Sequence, residues 1–214
     1  MKTALLLGAS GLTGGLLLQQ LLQDDYYKKV IVYTRKSLNI QHQKLQEMII
    51  DFDTIDTAVE ANDIFCCLGT TIKKAGSKTA FEKVDFDYPL KIAQLQKNAG
   101  SEKFLVITAM GASANSSIFY SMVKGKLEKQ LQLLQFSSLY IFRPSLIIGN
   151  RKEKRIGERI ALILSTIINP LLMGSLAKYK SVTAVAIAKA MIFSAKKNKP
   201  ENQIILSDEI KKFE

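Results

Sequence analysis

Tyr120 and Lys124 stand four residues apart inside Phe119 to Gln135, a run whose apolar residues recur at three- and four-residue spacing. A helix over that run sets both side chains on one face, about one turn apart. An ammonium beside a phenol favours the phenolate, so Lys124 would ease proton exchange between Tyr120 and a carbonyl or hydroxyl oxygen of a substrate. The same ammonium could bond a ribose hydroxyl. A Tyr and a Lys at this spacing also occur as ordinary amphipathic surface pairs. What raises the pair above that is Thr108, the last residue of the strand-like run Phe104 to Thr108. Its hydroxyl is a candidate to bond the reacting oxygen beside Tyr120.

Such chemistry needs a redox carrier, and the start of the chain offers a place for one. Gly8-Ala9-Ser10-Gly11-Leu12-Thr13-Gly14 follows the apolar run Thr3 to Leu7 and opens another, Leu16 to Leu22. That order reads strand, glycine turn, helix. A turn without Cβ atoms at its tight positions lets backbone N–H groups approach a pyrophosphate, and the helix it opens turns its positive end toward that anion. The spacing is GxxGxxG, one residue wider in its first gap than the common dinucleotide fingerprint, so context has to support it. A further strand, Val30 to Tyr33, supplies the βαβ setting. The competing reading is a plain glycine-rich turn. The second strand ends in Tyr33-Thr34-Arg35-Lys36, with no Asp or Glu to bond the ribose hydroxyls of NAD. The planar guanidinium of Arg35 suits a 2′-phosphate, with Ser10 adding a bond from the glycine turn. The expected cofactor is therefore NADP(H) in preference to NAD(H).

Strand-like runs recur at Thr3 to Leu7, Val30 to Tyr33, Met48 to Ile50, Ile64 to Leu68, Phe104 to Thr108 and Leu139 to Phe142. Helical spacing marks Gly11 to Gln23, Tyr88 to Lys97 and Phe119 to Gln135, and more weakly Asp53 to Ala61. Strands alternating with helices predict an α/β fold, a doubly wound and mainly parallel sheet of Rossmann-like type. Ligands of such sheets sit beyond the C-terminal strand ends, where the glycine turn, Arg35, Asp51, Gly69, Thr108 and Pro144 all fall. After Pro144 the alternation weakens, with a charged segment (Arg151 to Arg159), an uncharged stretch (Ile160 to Ala177), a helical run (Val182 to Ser194) and a last strand-like Gln203 to Leu206. The chain divides on this reading into a dinucleotide-binding core, 1–144, and a small cap over the crevice, 145–214, integrated with it.

With 214 residues, 47% of them apolar, the chain can bury one substantial core. The adjacent Cys66 and Cys67 lie in an apolar strand, point to opposite faces, and read as core packing in a reducing compartment rather than as a redox switch. With His42 the only histidine, no metal site is suggested. The net charge of +11 is uneven, +4 over residues 1–150 and +7 over 151–214. Without interleaved aromatics or a recognition motif this excess points to a cationic surface and not to nucleic acid. The glycine turn interrupts the first apolar stretch, and Asn169-Pro170 breaks the uncharged one, so neither a secretory signal nor a membrane span is expected. The expected location is cytoplasmic. Peripheral membrane contact through Arg151 to Lys180 stays open as a weaker reading.

Several blocks together resemble the short-chain dehydrogenase/reductase superfamily, in its atypical branch related to the Tat-interacting-protein oxidoreductases and their bacterial relatives. They are Phe65-Cys66-Cys67-Leu68-Gly69-Thr70-Thr71, Lys74-Ala75-Gly76, Val84-Asp85, Asp87-Tyr88, Ala109-Met110-Gly111-Ala112, Tyr120-Ser121-Met122-Val123-Lys124-Gly125-Lys126-Leu127-Glu128, and Phe142-Arg143-Pro144 with Gly149. The resemblance implies that Leu68, Gly69 and Thr70 border the cofactor, that Tyr120 and Lys124 fill the YxxxK positions, and that Asp51 lies beside adenine with Phe52 available to pack on the ring. Thr108 stands where many relatives have serine. The leading expectation is an NADPH-dependent reductase of a small-molecule carbonyl with Tyr120 as proton donor. The alternative is a non-catalytic NADP(H)-binding sensor or scaffold.

Overall fold

The computed structural model describes residues 2–149 and 174–214. Seven strands form one sheet in the order β3-β2-β1-β4-β5-β6-β9, every pair parallel. They are β1 (Lys2–Leu7), β2 (Tyr27–Thr34), β3 (Leu45–Ile49), β4 (Asp63–Cys66), β5 (Lys103–Ile107), β6 (Ser138–Arg143) and β9 (Asn202–Leu206). A separate two-residue ladder pairs β7 (Ile147–Ile148) with β8 (Val182–Thr183). The doubly wound parallel sheet expected from the alternation is present, and the strand order reverses between β1 and β4, where such sheets open a crevice.

Both faces of the sheet are covered, which is why its central strands read as unbroken apolar runs. Ala4 and Leu6 of β1 pack toward α1 (Leu12–Gln23) on one face, and Leu5 and Leu7 toward the opposite layer. That opposite layer holds α4 (Tyr88–Asn98) and α5 (Phe119–Leu133), through Ile92, Ala93, Leu127 and Leu131. Cys66 and Cys67 follow the same alternation and belong to opposite layers; burial pushes the Cys66 thiol up to about 12.

Three stretches depart from expectation. Asp53 to Ala61 is not helical. One helix-type bond forms, Ile55 N–H to Asp51 C=O, but the Asp51 carboxylate caps Asp53 N–H at 2.9 Å and Lys91 Nζ takes the Asp53 carbonyl at 2.7 Å. A short polar side chain and a lysine from another helix have taken the groups a helix would pair. Ahead of α4 the chain is already helical, through α2 (Ile72–Ala75), α3 (Lys78–Glu82) and a π-helical turn (Lys83–Asp87) that runs directly into α4. Thr71 and Ser77 cap α2 and α3 with their hydroxyls. Pro89 has no N–H, and its ring would meet the carbonyl four residues back, at Asp85; a widened turn relieves that conflict.

The third departure concerns the cap. From Val182 on, the segment builds the core: α6 (Ala184–Ala195) packs on α1, and β9 extends the sheet beside β6. α6 is apolar nearly all round and rich in alanine, so it approaches α1 closely and buries nine residues. α7 (Ser207–Ile210) follows β9. The charged stretch Arg151 to Arg159 and all of the uncharged stretch Ile160 to Ala177 up to residue 173 lie outside the described residues, and Gly174–Tyr179 is a 3-10 helix. Among the described residues no helix is long and apolar enough to cross a membrane.

Candidate active site

The glycine turn is built of contacts that only backbone can make. Gly8 has φ +82°, in the left-handed region, and a Cβ there would sit 2.5 Å from the Cys67 carbonyl oxygen. A Cβ on Gly14 would lie 2.1 Å from the Gly8 carbonyl oxygen, and Gly11 N–H closes the turn onto that same carbonyl at 3.0 Å. The turn therefore packs against the end of β4, at the reversal of strand order. Gly11, the N-cap residue of α1, offers no side chain to the first N–H groups, and no acid lies in the first turn. Those N–H groups and the helix dipole are left for an anion. Ser10 and Gly11 are exposed, Leu12 packs under Gly149, and Thr13 is buried. A cradle closed to Cβ atoms at a helix N-terminus fits the diphosphate of a dinucleotide.

On the other side of the crevice α5 presents Tyr120, half-buried and held by the Phe81 ring at 5.5 Å, and Lys124, one turn on. Lys124 is 3% exposed, with Nζ 2.7 Å from Oδ1 of Asp85, itself 1% exposed. The second Asp85 oxygen accepts the backbone N–H of Thr70 at 2.8 Å. Gly69, exposed in the crevice, lies over the pair: a Cβ there would be 3.5 Å from Asp85 Oδ1 and 3.8 Å from Lys124 Nζ. Burial alone would push the Lys124 ammonium down, but Asp85 and then Tyr120 outweigh it and hold it above its ordinary value. Burial pushes the Asp85 carboxyl up against the pull of Lys124. Beside Tyr120, Lys124 therefore shares its charge with the Asp85 carboxylate.

Thr108 reaches α5, but at a different level. Its hydroxyl donates to Glu128 Oε1 at 2.6 Å, and Glu128 also takes the guanidinium of Arg143 in a two-pronged contact. Glu128 stands two turns beyond Tyr120, so the Thr108 proton is committed away from the phenol. The loop from β5 to α5 lies on the helix at Gly125, where a Cβ would be 2.1 Å from the Ser113 carbonyl carbon. Pro144 is buried, and its carbonyl accepts Met110 N–H at 2.9 Å, tying the ends of β5 and β6 together. Leu68 is partly buried against the α4/α5 layer.

At the far end of the crevice Arg35 is exposed and, among the described residues, faces no carboxylate. Glu47 of β3 is taken by the Ser37 hydroxyl at 2.7 Å and the Leu38 N–H at 2.9 Å. Asp51 is exposed at the end of β3. Phe52 corrects the expectation that its ring is free to pack on adenine: it is 4% exposed and stacks on Tyr88 at 5.2 Å, because the turn after Asp51 drives it into the core. Asp85, Gly125 and Glu128 carry none of the roles assigned from the residues alone. Pro89, four residues after Asp85, was the available sign of an altered turn there.

A family model described as HIM1 matches residues 19–180. The chain belongs to that family. It is 38% identical over 167 residues to the HTATIP2 protein of Rattus norvegicus, covering 75% of this chain and 69% of that one. FMP52-1 of Scheffersomyces stipitis is 31% identical, over 72% of this chain and 70% of its own. The resemblance to the Tat-interacting-protein relatives is thus borne out for this HIM1 member. Among solved structures, a UDP-glucuronic acid 4-epimerase from Bacillus cereus, in complex with UDP-glucuronic acid and NAD, aligns with TM-score 0.71 at 14% identity, covering 95% of this chain and 77% of its own. A UDP-N-acetylglucosamine 4-epimerase from Methanobrevibacter ruminantium M1 aligns at 0.68 and 15%, covering 96% and 76%. At such identities the likeness concerns the fold. The expected cytoplasmic location is corrected by the fungal relatives: five at 28–31% identity are named mitochondrial, which points away from a purely cytoplasmic place.

Proposed function

We propose that this HIM1-family protein is an NADP(H)-dependent oxidoreductase of the carbonyl reductase type. The observation that carries the reading is the glycine turn, which Cβ atoms cannot enter, facing across one crevice a tyrosine and a buried lysine. Gly8, Gly11 and the first N–H groups of α1 would hold the diphosphate, Arg35 the 2′-phosphate, and Lys124 a ribose hydroxyl. When bound, the nicotinamide supplies or accepts a hydride. Tyr120 gives its proton to the substrate carbonyl oxygen as that carbon becomes an alcohol, and recovers one from solvent. Lys124 stabilises the phenolate left behind. The complexes with NAD among the fold neighbours, and the resemblance of the sequence blocks to a reductase branch, support the dinucleotide part of this reading.

The commitment of the Thr108 proton to Glu128 favours a second reading, an NADP(H)-binding sensor or scaffold with no turnover. One set of measurements separates them. Titration with NADPH and NADH should show preference for NADPH of about tenfold or more, lost in Arg35→Asp. With NADPH and a panel of carbonyl compounds, the reductase shows turnover that falls at least about a hundredfold in Tyr120→Phe while NADPH affinity stays within about twofold. Binding without turnover on any carbonyl would select the sensor, and equal affinity for both coenzymes would remove the role of Arg35.

A further inference from the structure

Asp85 has no part in the reading above, yet it is one of the most buried carboxylates among the described residues and touches two elements of the site. Its Oδ1 meets the Lys124 ammonium at 2.7 Å, with no other donor to that oxygen among the described residues, and its Oδ2 accepts Thr70 N–H at 2.8 Å. It sits in the π-helical turn Lys83–Asp87, so its backbone is displaced from the α-helical path that the flanking α3 and α4 follow. π turns of this kind are often found at functional sites.

A buried ion pair is a poor way to gain stability, because two neutral side chains of similar volume serve as well without desolvating charges. The surroundings suggest another use. The pair is almost wholly buried, and Gly69, exposed and without a side chain, lies next to it: a Cβ there would be 3.5 Å from Asp85 Oδ1 and 3.8 Å from Lys124 Nζ. An ammonium has three N–H donors, and Asp85 occupies one, which fixes the direction of the other two. A free lysine side chain carries considerable rotamer entropy, and a clamped one has lost it before a ligand arrives.

We propose that Asp85 is a positioning residue for the dinucleotide: it joins Lys124 and the Gly69–Thr70 loop into one preformed wall, with the remaining lysine donors directed at the hydroxyls of the ribose beside the nicotinamide. The proposal rests on the NADP(H) reading given above. Asp85 acts through Lys124, so its effect on binding requires that lysine.

A double-variant cycle tests this, with NADPH as the probe and its fluorescence enhancement or calorimetry as the readout, on wild type, Asp85→Asn, Lys124→Met and the double variant, each with a thermal melt. Asp85→Asn should weaken NADPH binding about tenfold when Lys124 is present and by less than about twofold when it is Met. The double variant should melt above either single variant, since it leaves no buried charge alone. If Asp85→Asn fails to fold, Asp85→Glu serves instead: it keeps the charge, pushes the ammonium away by one methylene, and should weaken NADPH binding severalfold with little change in melting temperature. Losses that multiply in the double variant, or an Asp85 variant that folds and binds like wild type, would overturn the clamp while leaving the NADP(H) reading intact. Wild-type protein that binds neither NADPH nor NADH would overturn both.

Discussion

Replacing Gly14 with alanine adds a Cβ 2.1 Å from the Gly8 carbonyl oxygen, a backbone atom that cannot swing aside. In an open helix the same change would gain about 1 kcal/mol; here the overlap should reverse the sign and cost about 2 kcal/mol net, measured by denaturant unfolding. Because the displaced carbonyl also closes the turn on Gly11 N–H, NADPH affinity should fall by about tenfold or more. A variant as stable as wild type would show that the turn opens without cost and is no rigid cradle. Single-residue roles of this kind were legible where the residue type itself constrains the backbone, as at Gly8. They were not legible where a side chain had several partners within reach: Thr108, Phe52 and Lys124 all face neighbours that composition and spacing do not reveal.

At the scale of elements, the loop from β5 to α5 depends on α5 having no side chain at Gly125. A Cβ there would be 2.1 Å from the Ser113 carbonyl carbon and 2.2 Å from Ala114 N, so Gly125→Ala has to lift the loop off the helix. The expected loss is about 1–3 kcal/mol in unfolding free energy, with helix content by circular dichroism unchanged. An increase in stability would mean that the loop does not rest on α5. The long helices α1, α4, α5 and α6 and the central strands were visible from apolar periodicity, since each buries a stripe or a face of its own, whereas α2 buries no residue. The continuous helical stretch from Lys78 into α4 was hidden because Pro89 reads locally as a helix start, although the same proline accounts for the widened turn before it.

Across the whole molecule, the N-terminal strand ends are joined by a buried polar group remote from the crevice. Tyr27 donates to Asp63 Oδ2 at 2.8 Å, and Lys2 lies 3.6 Å from the other oxygen. Burial, then the neighbouring Asp63 charge, pushes the Tyr27 phenol far above its ordinary value of 10.0. In the unfolded chain the phenol ionises from about pH 10, while in the folded protein it keeps its proton. The contribution of Tyr27 is therefore full below pH 10 and is lost above it, at about 1.4 kcal/mol per pH unit. Unfolding free energy measured from pH 9 to 11 should fall more steeply in wild type than in Tyr27→Phe, which is itself less stable by about 1–3 kcal/mol at pH 7 because Asp63 loses its donor. Equal slopes would show that Tyr27 ionises in the folded state.

Local pattern by itself determined the doubly wound parallel sheet, the glycine turn at its first crossover and the tyrosine–lysine face of α5. Each is written within a few neighbouring residues, as alternation, helical spacing or glycines at a tight bend. Tertiary structure alone decided that Lys124 is clamped by Asp85, that Thr108 serves Glu128, that Phe52 is core and that β9 closes the sheet beside β6. Those outcomes join segments far apart in the chain, and which buried charge finds which partner is settled only when packing removes water from both.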